Sequence, residues 1–282
     1  RGLGDVYKRQ IYKGGFLLNK SELKEYFPYI RSRDEIMDEI KNNAGLSSIF
    51  YSWNEQEQNE FISFCSGACG VKIMYDSFFK EVMNAESNPE PLEGFLTTIL
   101  GRKVHILHVL PNDTTRITDE ASLLVTDIIV QLEDGSVANI EVQRIGYMFP
   151  AQRCSCYSAD MLLRQYKRIR SEKKRDFTYR DVKTVYLIVL YERSPHELSG
   201  RPECYIHYGR TSFNTGISLD MLQDFILISL DNFHKHMHNK PIETIEEAWL
   251  TFLSDDSPER IIEIITKYPD FKPLYDIIYR MC

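Results

Sequence analysis

Two acidic residues in a strand-forming part of the sequence are the strongest candidates for chemistry. Asp127 is the one charged residue in the apolar run Leu123 to Gln131, and Glu141 follows in the alternating run Val137 to Gln143. Opposed carboxylates destabilise a strand pair, and a carboxylate among apolar side chains loses several kcal/mol of hydration unless it is neutralised. Mg²⁺ is commonly held by one or two carboxylates together with phosphate and water. The pair therefore predicts a divalent-cation site.

The turn between the two runs decides whether these carboxylates meet. Residues that face each other in an antiparallel pair have a constant sum of residue numbers and point to the same side. A three-residue loop over 133–135, with Gly135 in the left-handed conformation, pairs Asp127 with Glu141. A two-residue loop at 134–135 puts them on opposite faces. The alternative to a metal site is that Asp127 accepts backbone N–H groups while Glu141 lies at a wet sheet edge, and spacing alone leaves both open.

The surrounding pattern predicts an α/β domain with a mixed sheet, because the order is helix, three strands, helix, strand. The predicted strands are Val104–Leu110, Leu123–Gln131, Val137–Gln143, Val182–Tyr191, Cys204–Phe213 and Phe225–Leu230. The predicted helices are Asp76–Met83, Pro91–Leu100, Pro150–Glu172, Thr244–Leu253 and one that begins after Ser257. The Val137–Gln143 strand alternates, so Asn139, Glu141 and Gln143 share one face.

The regions outside this core divide into three segments. Residues 1–10 resemble non-native or read-through sequence, and we leave them out of the fold prediction. Residues 11–71 predict a helical region, with capping boxes at Ser32/Glu35 and Ser52/Glu55. Residues 72–240 form the predicted core. Residues 241–282 form a C-terminal helical extension that ends on a helical pattern, and we expect it to be cut short there.

Bulk composition is that of a globular protein, with 43% hydrophobic and 27% charged residues. We expect no membrane partner, because the sequence has no apolar run of about 18 residues. The net charge is −7, which argues against nucleic-acid binding by the whole surface but allows a local basic face. Such a face is indicated between Arg164 and Lys183, where nine residues are basic and three are acidic.

Cysteine and histidine residues offer weaker signals. The six cysteines are too scattered for a disulfide framework, so reduced thiols and a cytoplasmic protein are expected, with structural zinc as the alternative. His234, His236 and His238 alternate. We expect them to follow a strand and to be exposed at its end, and this interpretation is favoured over a metal site.

A family resemblance joins the acidic pair to other segments. Asp127, Gly135 and the run Ile140 to Gln143 resemble the PD-(D/E)XK nuclease signature, and in particular the PD-(D/E)XK nuclease family transposases, or recombination-promoting nucleases. The supporting segments, which span roughly residues 72 to 270, are Tyr75–Lys80, Arg153 with Tyr157, Tyr179 with Val185–Ile188, and Glu247–Leu253. One departure is Gln143, which stands where the general motif has lysine.

The resemblance implies a restriction-endonuclease-like core with added N- and C-terminal helices. It implies a Mg²⁺- or Mn²⁺-dependent DNA endonuclease that hydrolyses phosphodiester bonds and is associated with transposition or recombination. Asp127, Glu141 and Gln143 would be catalytic, with Gln143 holding a water. Asp127, Glu141 and the Val142 carbonyl would bind the metal, with Glu93 as a further ligand or a solvated helix residue.

The predicted nucleic-acid contacts are Arg144, Arg153, Tyr157, Arg164, Lys167 and Arg168. Basic residues of this kind contact phosphates without reading sequence, and the alternative is a solvated helix face. A homodimer is compatible with such an enzyme. Two other functions stay open. One is a nuclease fold with weakened catalysis that binds nucleic acid or protein, and the other is a regulatory or defence partner acting through its N-terminal helices.

Overall fold

The computed structural model describes residues 22–74, 76–111, 128–146, 151–201 and 203–281. The described residues form two compact units, which meet in the sequence between Gly70 and Val71. Each unit is described by itself below.

The first unit is helical. A 3₁₀ turn at Glu22–Glu25 precedes three helices, α1 (Arg33–Asn42), α2 (Ala44–Ser52) and α3 (Glu55–Cys65). The predicted capping box of Ser32 and Glu35 is confirmed at the start of α1. The second predicted box is wrong, because Asn54 and Glu57 form the box that begins α3. Ser52 instead ends α2, where its hydroxyl donates to the Ile49 carbonyl at 2.6 Å.

The second unit contains six strands and eight helices within its described ranges. The strands are β1 (Ile106–Val109), β2 (Ile128–Leu132), β3 (Val137–Gln143), β4 (Val185–Tyr191), β5 (Ile206–Gly209) and β6 (Gln223–Ser229). The helices are α4 (Asp76–Val82), α5 (Glu90–Leu100), α6 (Ala151–Lys173), α7 (His196–Ser199), α8 (Leu230–His236), α9 (Ile245–Ser254), α10 (Pro258–Lys267) and α11 (Lys272–Arg280). Short 3₁₀ turns lie at Lys174–Asp176, Tyr179–Asp181 and Pro269–Phe271.

The strands form one mixed sheet in the order β1-β2-β3-β4-β6-β5. The central strands β3, β4 and β6 run parallel, while β1, β2 and β5 pair antiparallel with their neighbours. Helix α6 is the crossover between the parallel strands β3 and β4. The predicted mixed α/β fold is confirmed, and the sheet with its flanking helices has the restriction-endonuclease-like arrangement.

Helices cover both faces of the sheet. On one face, Cys154 and Tyr157 of α6 pack against Leu187, Val189 and Tyr191 of β4. Neighbouring residues of a strand point to opposite sides, so Tyr186 belongs to the other face. There the guanidinium of Arg102, just after α5, lies 5.7 Å from the centre of the Tyr186 ring. Since both faces are buried, the central strands are almost continuously apolar.

Several element bounds differ from the predicted ones. Strand β4 begins at Val185 rather than Val182, because the 3₁₀ turn Tyr179–Asp181 occupies the approach to it. The predicted strand Leu123–Gln131 is described only from Ile128 onward. The histidine segment follows strand β6 as predicted, with His234 and His238 exposed, but helix α8, which spans Leu230–His236, was not predicted.

Candidate active site

The turn between β2 and β3 is the three-residue loop, which is the alternative that the metal-site hypothesis requires. The Leu132 N–H donates to the Ser136 carbonyl at 2.9 Å, and the Gly135 N–H donates to the Leu132 carbonyl at 2.9 Å. Gly135 has a φ of 87°, which is a left-handed conformation that glycine adopts without strain. The Asp134 carboxylate accepts the Ser136 N–H at 2.9 Å and closes the loop.

This loop sets the register of the hairpin. Ile128 faces Ile140, Ile129 faces Asn139, and Gln131 faces Val137. Each pair sums to 268, the value that the three-residue loop requires. Asp127 itself lies outside the described residues.

Glu141 is a buried carboxylate on the sheet face that α6 covers. Its exposed fraction is 1%, and that of Asn139 on the same face is 0%. The Asn139 Nδ2 donates to Glu141 Oε1 at 3.0 Å. The other end of this amide, Asn139 Oδ1, is buried and has no hydrogen-bond partner within the described part of the chain. The two side chains therefore present oxygen atoms in a site with little water.

The thiol and phenol beside Glu141 are held in their neutral forms. Cys154 Sγ lies 4.0 Å from the Tyr191 hydroxyl. Burial raises the pKa of Cys154, and the negative charge of Glu141 adds to that shift. Burial also raises the pKa of Tyr191. Neither residue was a predicted site residue, and only the helical spacing of α6 could have placed Cys154 here.

Solvent exposure increases along the residues that follow Glu141. Val142 and Gln143 are partly buried, and Gln143 shares the face of Glu141. The backbone carbonyl of Gln143 accepts the Glu192 N–H at 2.9 Å. Arg144 is exposed, and its Nε lies 3.2 Å from Glu192 Oε2. Gly146 follows, where an added Cβ would lie 2.5 Å from the Arg193 carbonyl oxygen.

Arg153 and Tyr157 form a pair one turn apart on α6. The Arg153 Nε donates to the Tyr157 hydroxyl at 3.1 Å, and the guanidinium lies 5.1 Å from the centre of the ring. The exposed fraction of Tyr157 is 1%, so its ring has no face on which a base could stack. Tyr157 was predicted to contact nucleic acid. The structure makes it a core residue that positions Arg153.

Comparison with known proteins assigns this arrangement to a family. A family model described as PD-(D/E)XK nuclease family transposase matches residues 73–282. The chain belongs to this family. Neither the curated proteins nor the solved structures gave a match. The match begins within three residues of the second unit's start at 71, so the family region coincides with the unit that contains the mixed sheet.

Membership in the PD-(D/E)XK nuclease family transposases ties the chain to nuclease and transposition-related function, with DNA as the implied substrate. Nucleases of this family typically use divalent metals. None of the described helices is both long and apolar enough to cross a membrane.

The remaining predicted basic contacts of this transposase-family chain lie along α6. Arg164 and Arg168 are partly buried, and Lys167 is exposed. Arg164 Nε lies 2.8 Å from Asp160 Oδ2 in an ion pair one turn away. The spacing of four residues between Arg164 and Arg168 puts both on one flank of the helix.

Two weaker metal candidates have other contacts. The Glu93 carboxylate accepts the Ile106 N–H at 2.7 Å and lies 3.4 Å from His105 Nδ1. These contacts connect the start of β1 to α5. His234 lies 3.5 Å from an Asp255 oxygen. Across the described ranges, no group of three or more His, Cys, Asp or Glu side chains could hold a metal ion. No disulfide bond forms among the described cysteines, which are Cys65, Cys69, Cys154, Cys156 and Cys204.

Proposed function

We propose that this chain is a metal-dependent DNA endonuclease that hydrolyses phosphodiester bonds and acts in transposition or recombination. The observation that carries the proposal is the register of the β2–β3 hairpin. Its described pairs end at Ile128 opposite Ile140. The proposal requires this register to continue for one further step, which would set Asp127 opposite Glu141 with both carboxylates on the face that α6 covers.

The surroundings of Glu141 fit a hard divalent cation. Mg²⁺ takes oxygen ligands from one or two carboxylates and keeps several waters. Glu141 supplies a carboxylate that is 1% exposed, and the neighbouring Asn139 Oδ1 is a buried acceptor with no partner among described residues. An acceptor in that position suits a water bound to a cation. When bound, the cation supplies Lewis-acid polarisation of the phosphate and lowers the pKa of a bound water.

The predicted catalytic and metal-binding residues have separate roles in this proposal. Asp127, Glu141 and the Val142 carbonyl would hold the metal. Gln143 lies two residues beyond Glu141 on the same face, so its amide is placed to orient a water by hydrogen bonding. Its neutral side chain lacks the positive charge that a lysine would bring to the transition state.

Arg144 and Arg153 are the basic residues nearest in sequence to this face. Arg144 is exposed beside the end of β3. Arg153 is held by the buried Tyr157 hydroxyl, so less conformational freedom is lost when it meets a phosphate. We assign both to the phosphates that flank the cleaved bond. Lys167, further along α6, adds a sequence-independent contact.

Cellular location and assembly extend the proposal. The five described cysteines form no disulfide bond, which supports a reducing compartment such as the cytoplasm. A homodimer is a further expectation, and light scattering on the purified chain measures it.

Nicking of a supercoiled plasmid in Mg²⁺ tests the proposed activity. We expect Asp127→Asn and Glu141→Gln each to slow cleavage by at least about 100-fold, since each removes a metal ligand worth several kcal/mol in the transition state. Glu133→Gln is the matched control, because it makes the same chemical change at an exposed position of the same hairpin. Equal cleavage by all four proteins would show that the two carboxylates are not catalytic.

A second candidate is a nuclease fold that binds DNA without cutting it. The observation that favours it is the neutral Gln143 in the active strand. This alternative predicts DNA binding by the wild-type chain with no cleavage in either Mg²⁺ or Mn²⁺. Substituting Gln143→Lys would then be expected to restore nicking.

A further inference from the structure

A second opening lies on the same sheet face, further along α6. It is a cavity of about 320 Å³ between α6 and the strands β1 to β3. Its apolar wall includes Leu110, Ile129, Val137 and Met161. Its polar side is formed by Arg164, Gln165 and Arg168. Small-molecule sites of proteins are commonly cavities from about 300 Å³ upward with an apolar wall and a few polar groups.

The polar side carries buried donors without acceptors. Arg164 Nη2, Gln165 Nε2 and Arg168 Nη2 are buried and have no hydrogen-bond partner within the ranges that the structure describes. The exposed fraction of Gln165 is 2%. Its Oε1 accepts the Lys183 N–H, which fixes the amide and turns Nε2 away from that contact. A buried donor without an acceptor is unfavourable, so these three groups favour a ligand rich in acceptors.

The charge of the cavity favours an anion. Arg164 is offset by Asp160, whose Oδ2 lies 2.8 Å from Arg164 Nε. Arg168 has no ion pair among the described contacts, so the cavity side of α6 retains one positive charge. Two guanidinium groups beside each other match the oxygens of a phosphate. A phosphate alone would leave the apolar wall unused.

We propose that this cavity is a subsite for one unpaired nucleotide of the DNA substrate. Its phosphate would lie against Arg164 and Arg168, and its base against the apolar wall with a hydrogen bond from Gln165. This inference rests on the proposed nuclease function. Val137 precedes Glu141 by four strand residues, or about 13 Å. That distance equals about four base steps of 3.4 Å, so one strand can occupy the cavity and reach the carboxylate.

Binding of thymidine 5′-monophosphate to the full chain, measured by calorimetry without divalent cation, tests the subsite. We expect Arg168→Gln to weaken binding at least about tenfold, because a charge-assisted contact is lost. Gln165→Glu keeps the acceptor for Lys183 but places negative charge at the donor position, and we expect a similar loss. Arg170→Gln is the matched control, since Arg170 contacts Tyr166 on another side of the same helix, and it should bind as the wild type does. Thermal melting checks that each variant is folded.

Three results would overturn the subsite. They are equal affinities of Arg168→Gln and Arg170→Gln, binding of inorganic phosphate as tight as that of the nucleotide, and binding of thymidine as tight as that of the nucleotide. Glu141→Gln separates this test from the nuclease proposal. The variant should bind the nucleotide normally while it fails to cut DNA. Nucleotide binding by a chain that never cleaves would support the subsite and contradict the nuclease.

Discussion

Asp134 stabilises the hairpin turn through contacts with two residues. Its carboxylate accepts the N–H of Ser136 at 2.9 Å and lies 2.9 Å from Arg102 Nη2. Burial acts to raise the pKa of Asp134, but the hydrogen bonds from Ser136 and the charge of Arg102 outweigh it, so the pKa is lowered. A carboxyl whose folded-state pKa lies below its unfolded value, about 3.9, stabilises the protein above that pH. The stabilisation is lost as the pH falls through the folded-state pKa.

Asp134→Asn should therefore destabilise the protein at pH 7 and have a smaller effect at pH 2 to 3, because the carboxyl loses its charge as the pH falls through its folded-state pKa. The loss at pH 7 should stay below about 1 kcal/mol, because solvent screens a half-exposed pair. Urea unfolding of both proteins at the two pH values measures it. If the difference in free energy of unfolding between the two proteins were the same at both pH values, the charge of Asp134 would not contribute to stability.

Single residues of the site were only partly predictable from the sequence. Alternation in β3 placed Glu141 and Asn139 on one face, but it could not show that the Asn139 amide contacts the carboxylate. Tyr157 was assigned to the substrate because its spacing on α6 matched a family pattern. A tyrosine on a helix can either pack in the core or contact a ligand. Tyr157 packs in the core, because it lies between α6 and β4.

At the scale of elements, the loop between β2 and β3 controls the candidate site. A left-handed residue there keeps the register in which Ile128 faces Ile140. We expect Gly135→Ala to destabilise the protein by about 1 kcal/mol or more, since alanine is strained at a φ of 87°. An added Cβ would also approach Lys183 Cγ at 3.3 Å.

Gly200→Ala is the matched control for that prediction. Gly200 has a φ of −71° and no neighbouring atom within 4 Å of an added Cβ, so its substitution should be neutral or slightly stabilising. Thermal unfolding of the two variants gives the comparison. Equal melting temperatures would mean that the loop conformation contributes little to stability.

Most elements were predictable because their patterns are strong and local. The β2–β3 loop has a glycine signal, and β3 has clean alternation, so its bounds were correct. The start of α3 was wrong because Ser52/Glu55 and Asn54/Glu57 both have capping-box spacing, and sequence alone does not choose between them. Helix α8 was missed because seven residues, Leu230–His236, are too few to show a helical period.

At the scale of the whole molecule, the six-stranded sheet and the family region lie in the second unit. That unit spans 71–281, and the family match spans 73–282. Its C-terminal helices have aromatic contacts within the unit, such as the 5.9 Å between the ring centres of Phe95 in α5 and Trp249 in α9. The unit thus has its own apolar core, which is what independent folding requires.

A protein of residues 71–282 should therefore fold cooperatively without the first unit. We expect a single thermal transition and plasmid nicking within about threefold of the full chain, because every proposed site residue, from Asp127 to Arg168, belongs to this stretch of the sequence. Calorimetry and the nicking assay measure both properties. An aggregated or uncooperative fragment would show that residues 1–70 are needed for the fold.

The central claim is that Asp127 and Glu141 hold one divalent cation on the same side of the hairpin. Anomalous diffraction from a crystal soaked in Mn²⁺ tests it most directly. We predict one peak about 2.1 Å from a carboxylate oxygen of each residue, the spacing of Mg²⁺ to oxygen, and no peak in Glu141→Gln. Carboxylates on opposite faces of the sheet, or a peak bound elsewhere and retained in that variant, would contradict the claim.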